Sequence, residues 1–173
     1  WIRAEVRDFE KRVGITPEIV IQLIAAGFEI TVEESEHRAI PIKDYQNSGA
    51  NIAVGNSWQT APKDALIFGL KELPEEVNTL KHRHIMFGHA YKGQDGAKKL
   101  LDKFKNGGGS LYDLEYLLDK NNSRIAAFGY WAGFAGAAVG LKVWLHQKTN
   151  LSLGPKQINV YSGRDELVRE LEI

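Results

Sequence analysis

The stretch ALIFGLKELPEE, residues 65–76, decides how the rest of the chain is read. Its apolar run ends at Gly69 and is too short for a helix, so it reads as a buried strand. Buried strands of this kind belong to parallel sheets covered by helices. In such sheets ligands sit beyond the carboxyl ends of the strands, which is where Lys71 and Glu72 stand.

Working outward from that strand, the chain alternates between strand and helix patterns. WIRAEV (1–6) alternates as a strand. TPEIVIQLIAAG (16–27) has Thr16 as N-cap, Pro17 at the first helical position, Ile19, Val20, Leu23 and Ile24 on one face, and Gly27 to stop it. FEITVEE (28–34), a short helix around IKDYQNSG (42–49) and ANIAV (50–54) continue the series. HIMFGHA (84–90) reads as a fifth strand, and KELPEEVNTLKHR (71–83) as a connection holding a short helix. QDGAKKLLDKFK (94–105) places Ala97, Leu100, Leu101 and Phe104 on one stripe of a surface helix. LYDLEYL (111–117) and RIAAFG (124–129) read as two more strands, YWAGFAGAAVGLKVWLHQK (130–148) as a long helix, and SGRDELVRELEI (162–173) as a capped one. The expected fold class is α/β, Rossmann-like (flavodoxin-like), with a mostly parallel sheet and helices on both faces of a single domain.

Composition narrows the function. The 173 residues suffice for one core. Lys plus Arg and Asp plus Glu both total 22, so no basic field exists to gather nucleic acid. The absence of cysteine removes disulfides, thiol nucleophiles and thiolate metal sites, and fits a cytoplasmic protein. WIRAEVRDFEKR is too charged for a signal peptide. The uncharged run Ile125–Leu141 is short for a bilayer span and rich in Gly and Ala, so it reads as a buried helix. Because the chain opens on Trp1, its natural start is expected upstream.

Lys71 and His89 each follow an apolar strand. Neighbouring parallel strands would bring two such tips within reach, where a partly desolvated lysine and a histidine can exchange protons with a substrate. Solvent-facing strand ends also carry polar residues for no chemical reason, and on the residues alone both readings stand. His82 and His84 share a face, yet no cysteine or acidic spacing completes a metal set, so no metal site is expected. NGGGS (106–110) lacks the GK[ST] ending and reads as a flexible turn. FGYWAGFAG (128–136) joins strand to helix, but Tyr130 and Trp131 would crowd a pyrophosphate. Gly133, Gly136 and Gly140 are expected to let this helix press on a neighbour. Arg12 and Arg124 are candidate carboxylate anchors, though each taken alone reads first as a solvated surface residue.

Several patterns together resemble one family: RAEVRDFEKRVGITPE, GFEITVEES, SWQTAPKDALIFGLKELPEE, HIMFGHAYKGQDG, LYDLEYL and RIAAFGYWAGFAGAAVG are similar to the N-terminal part of lysine-forming saccharopine dehydrogenases. They resemble more distantly the alanine dehydrogenase and transhydrogenase superfamily. The resemblance implies oxidation of saccharopine by NAD to an imine that is hydrolysed to lysine and 2-oxoglutarate. It implies Lys71 and His89 as acid–base groups, and Arg12, Lys92, Glu115 and Arg124 as substrate-binding residues. Glu10 and Glu72 would support them by pairing with lysines or tuning them. It implies residues 1–129 as substrate domain and 130–173 as an interdomain helix leading to an NAD-binding domain absent from this chain, which alone is expected to bind no NAD. An alanine-dehydrogenase-like oxo-acid domain and a non-catalytic binding domain are the alternatives.

Overall fold

Backbone hydrogen bonds link five short strands: β1 (Thr31–Glu33), β2 (Asn51–Ala53), β3 (Leu66–Phe68), β4 (Arg83–Met86) and β5 (Ser110–Asp113). β1 pairs with β2, β3 with β4 and β4 with β5, all in parallel. The N-terminus joins the two groups, since Ile2 bridges in parallel to both Val32 and Phe68. Ile2 N donates to Thr31 O at 2.8 Å and Phe68 N to Trp1 O at 2.7 Å. With this segment counted as the first of six, the order is 3-2-1-4-5-6, the Rossmann order and not the flavodoxin one. Its direction reverses between the N-terminal segment and β3. The segment is shorter than the expected strand 1–6 because Ala4 N turns to the Glu33 carboxylate, 2.7 Å away.

The computed structural model describes residues 1–149, 158, 159, 161 and 163–171. The chain forms two units, Trp1–Ala126 and Ala127–Ile173. In the first, α1 (Pro17–Ala25), α2 (Ile42–Asn47) and α3 (Ala97–Gly107) accompany the sheet. Strand alternation divides the core between the two faces. Ile2, Val32 and Phe68 pack with Val20 of α1 and Tyr45 of α2. Ile67 and Met86 pack with Trp58 and with Phe104 of α3. Burying a side chain of this size stabilises by roughly 1.5–3 kcal/mol. The Tyr45 hydroxyl keeps a partner, donating to Ile15 O at 2.8 Å, and burial pushes its pKa up to about 12.

α1 starts at Pro17 and ends before Gly27, whose φ of 91° is open to glycine. Thr16 occupies the N-cap without a side-chain capping bond. Residues 71–82 form turns and not a helix, and Arg83 already belongs to β4. Leu73, Val77 and Leu80 have helical spacing, but Pro74 interrupts them and Leu80 N is drawn to Lys103 O at 2.9 Å. β5 stops at Asp113 because its carboxylate accepts from Glu115 N at 3.0 Å and turns the chain into a 3-10 turn, Leu114–Tyr116. RIAAFG is not a strand. Asp119 Oδ1 accepts from Asn121 N at 2.8 Å and Ser123 N at 2.9 Å, building a loop closed by a single antiparallel bridge, Leu118 to Arg124. NGGGS is not a loose turn either. Gly108 takes the left-handed conformation, φ 74°, and Gly107 and Gly109 lie so close to the Leu80–His82 main chain that a Cβ at either would overlap it.

The second unit contains α4 (Gly129–Lys148) and α5 (Arg164–Leu171). Lys142 Nζ donates to Tyr161 Oη at 2.7 Å and pairs with Glu170. Among the described residues, no atom outside the helix's own nearby backbone lies within 4 Å of a Cβ built at Gly133, Gly136 or Gly140. Among the described residues no helix is long and apolar enough to cross a membrane. Ser162, in the expected cap of the last helix, lies outside the described residues.

Candidate functional site

The sheet register carries Lys71 and His89 to neighbouring strand tips. Phe68 pairs with Ile85, and the ladder continues as Gly69 N to Ile85 O at 3.0 Å and Phe87 N to Leu70 O at 3.3 Å. Lys71 leaves that ladder one residue later on β3, and His89 two residues later on β4. Both tips lie at the carboxyl edge, where the strand order reverses beside β3.

At the β3 tip the main chain is held by the loop that follows the N-terminal strand. Glu5 accepts from Leu70 N at 2.7 Å and from Lys71 N at 2.9 Å. Arg3 donates to the Lys71 carbonyl. In the same loop Arg12 forms a two-pronged bond with Glu10, Nε to Oε1 at 2.8 Å and Nη2 to Oε2 at 2.5 Å. Glu10 is 6% exposed and Arg12 51%. Hydrogen bonding to Arg12 holds the Glu10 pKa below the ordinary carboxylate value against the opposing effect of burial, and the Lys71 charge adds to the lowering. Lys71 is therefore within electrostatic reach of Glu10. Glu72 pairs with Arg7 at 3.4 Å, both well exposed, and not with Lys71. The Lys71 main chain is anchored instead by Glu5.

The β4 and β5 tips assemble a second cluster. His89 adopts φ 49° and stacks on Phe87, ring centres 6.4 Å apart. Its Nδ1 lies 3.4 Å from Glu115 Oε2, while Lys92 Nζ donates to Glu115 Oε1 at 2.7 Å. Lys92 also lies over the Tyr116 ring. The Lys92 bond holds the Glu115 pKa low against burial, with further lowering from the His89 and Arg124 charges. Arg124 is exposed and bonds to Ala126 O at 3.4 Å. Asp113 frames the cluster, its Oδ1 accepting from Gly88 N at 3.2 Å and Glu115 N at 3.0 Å. A Cβ at Gly88 would lie 2.7 Å from a methyl of the Leu111 side chain, which would have to shift to admit it. A cleft of about 240 Å³ opens beside His89, lined also by Glu72, Met86, Phe87 and Lys99.

His82 and His84 belong to the core instead. His82 Nε2 lies 3.1 Å from Ala61 O. His84 is 1% exposed between the rings of Trp58 and Phe104. Burial, aided by the Arg3 and His82 charges, pushes its pKa down to about 3, so it is neutral in the fold. Glu5, Arg3 and Asp113 escaped the sequence reading. Glu5 and Arg3 lie in a run of alternating charges that reads as a solvated face, and Asp113 sits inside an apparent strand.

The chain is thus a doubly wound parallel α/β sheet with cations and carboxylates gathered at its carboxyl edge. The family described as alanine dehydrogenase/PNT, N-terminal domain, matches residues 1–135, and the chain belongs to it. It is 46% identical over 172 residues to a Schizosaccharomyces pombe protein named saccharopine dehydrogenase [NAD(+), L-lysine-forming], an alignment covering 99% of this chain and 47% of that protein. A Candida albicans protein of the same name is 44% identical, with 99% and 48% covered. The chain thus spans about half the length of these curated relatives. Among solved structures, a transhydrogenase from Sinorhizobium meliloti superposes with a TM-score of 0.59 at 19% identity, over 88% of this chain and 46% of that one, a likeness of fold.

Proposed function

We propose that this chain is the substrate-binding half of an NAD-linked dehydrogenase that converts saccharopine and water to lysine and 2-oxoglutarate, with Lys71 and His89 as its proton-transfer pair. The observation that carries the reading is their placement on adjacent strand tips, each beside a carboxylate of lowered pKa. One group takes the proton from the secondary amine, and the other serves the carbinolamine oxygen during imine hydrolysis. Arg12, Lys92 and Arg124 suit the three carboxylates of saccharopine, and Glu115 suits its free ammonium. The names of the relatives support the choice of substrate.

NAD supplies the hydride acceptor, and its pyrophosphate does not fit this chain's own switch-point crevice. That crevice encloses only about 10 Å³, too little for a pyrophosphate, and its Arg3 and Arg12 are already paired with Glu5 and Glu10. The cofactor is therefore assigned to another part of the protein, and the residues here bind substrate and move protons. The test is an assay of the protein containing this chain with saccharopine and NAD, following NADH and lysine together. Stoichiometric appearance of both is expected. Turnover of alanine and pyruvate without saccharopine would favour the oxo-acid reading, and saccharopine binding without turnover a non-catalytic domain.

A further inference from the structure

Two buried side chains that face the Lys71 main chain take no part in the proton pair or its anchors. Glu5 has 10% of its side chain exposed and Arg3 has 1%, with Arg3 Nη1 3.4 Å from Glu5 Oε2. Glu5 accepts from Leu70 N and Lys71 N, and Arg3 donates to Lys71 O. The amide and the carbonyl flanking the Lys71 Cα are thus both held by charged side chains. The sheet cannot do this, because its last bond on this strand is Phe87 N to Leu70 O.

The arrangement is expensive if stability alone is considered. Arg3 Nε is buried without a hydrogen-bond partner, and leaving such a donor unmet costs about 1–3 kcal/mol. Burial lowers the Arg3 pKa, against the carboxylates of Glu5, Glu33 and Glu72 that raise it. A buried ion pair adds little net stability over an apolar replacement. Gly69 must also lack a side chain, since a Cβ there would overlap the Arg3 guanidinium. What the arrangement supplies is a fixed main-chain position for one residue, Lys71.

We propose that Arg3 and Glu5 are positioning residues that clamp the Lys71 main chain so that its ammonium meets the substrate nitrogen, an inference that rests on the reading of Lys71 as a proton-transfer group. The test uses the full-length protein that contains this chain, as wild type, Glu5→Gln, Lys71→Met and the double variant. Amide hydrogen exchange at Leu70 and Lys71 is measured beside kcat and KM for saccharopine. Gln is nearly isosteric but keeps one acceptor oxygen, so one of the two N–H bonds is lost. Exchange at whichever of the two amides loses its acceptor is expected to accelerate by about ten-fold or more relative to Ile67. Glu5→Gln is expected to lower kcat by about 10- to 100-fold with KM little changed, and to cause no further loss once Lys71 is Met. Gly69→Ala provides an independent arm, because its methyl displaces Arg3 from the Lys71 carbonyl and leaves Glu5 in place. It is expected to show the same loss, absent in the Lys71→Met background.

Equal losses of kcat in both backgrounds would make Glu5 merely structural and overturn the proposal. Unchanged amide exchange would overturn the clamp whatever the turnover. Accelerated exchange in a protein that leaves saccharopine untouched would instead sink the substrate reading while the clamp stands.

Discussion

At the tip of β3 charged groups hold the main chain of Lys71. At the tips of β4 and β5 the side chains hold one another. The first arrangement is buried and built from residues far apart in sequence. The second is half exposed and joins the ends of two neighbouring strands, with His89 and Lys92 sharing the two oxygens of Glu115. Under the proposed function the difference becomes a division of labour, with the lysine held by its main chain and the histidine by its side-chain neighbours. Glu115 Oε2 is buried without a hydrogen bond, with the His89 imidazole 3.4 Å away.

Removing either tip tests that division most severely. Lys71→Met and His89→Gln are each expected to lower kcat by about 10²- to 10⁴-fold, measured as NADH formation by the full-length protein. If only one of them matters, the two tips do not form one site. A smaller effect separates binding from scaffold. Arg12→Ala leaves the buried Glu10 carboxylate without its fork, and should cost about 2 kcal/mol in thermal unfolding, discounted because half the guanidinium is already in water. It should also raise KM for a carboxylate substrate. Because Arg12 depresses the Glu10 pKa, the stability of the pair is present above the ordinary value of 4.5 and lost as pH falls through the lowered one. The gap between wild type and Arg12→Ala should therefore close in acid. A gap that persists there would show that Arg12 contributes packing instead of charge.

The smallest effect contrasts the two histidines of β4 and its tip. His84 has a folded pKa of about 3 against an ordinary 6.5, so the unfolded chain binds its proton first and stability falls as pH drops through 6.5. Between pH 8 and pH 6 this amounts to about 0.8 kcal/mol. Denaturant unfolding of His84→Leu should lack that portion of the pH dependence. An identical slope in wild type and variant would contradict the buried neutral imidazole.

Much of this was legible before any coordinates. Apolar runs that stop at Gly69 and Gly88 announce strand ends, so Lys71 and His89 could be placed at tips from local pattern alone. The helix at 130–148 was equally plain. Errors arose where a side chain overrode the pattern. Asp119 folds the segment before RIAAFG into a loop, and Asp113 ends a strand that reads as continuing. Leu73, Val77 and Leu80 mimic a helix while filling a core reached by turns. Glu5 was illegible for a different reason. Its partners lie 65 and 66 residues away, set by the register of a sheet and by nothing near it in the chain.

The most direct measurement is a crystal structure of the full-length protein with saccharopine bound. The account predicts the secondary nitrogen between Lys71 and His89, with carboxylates on Arg12 and Arg124. A ligand seated away from the β3 and β4 tips would contradict it.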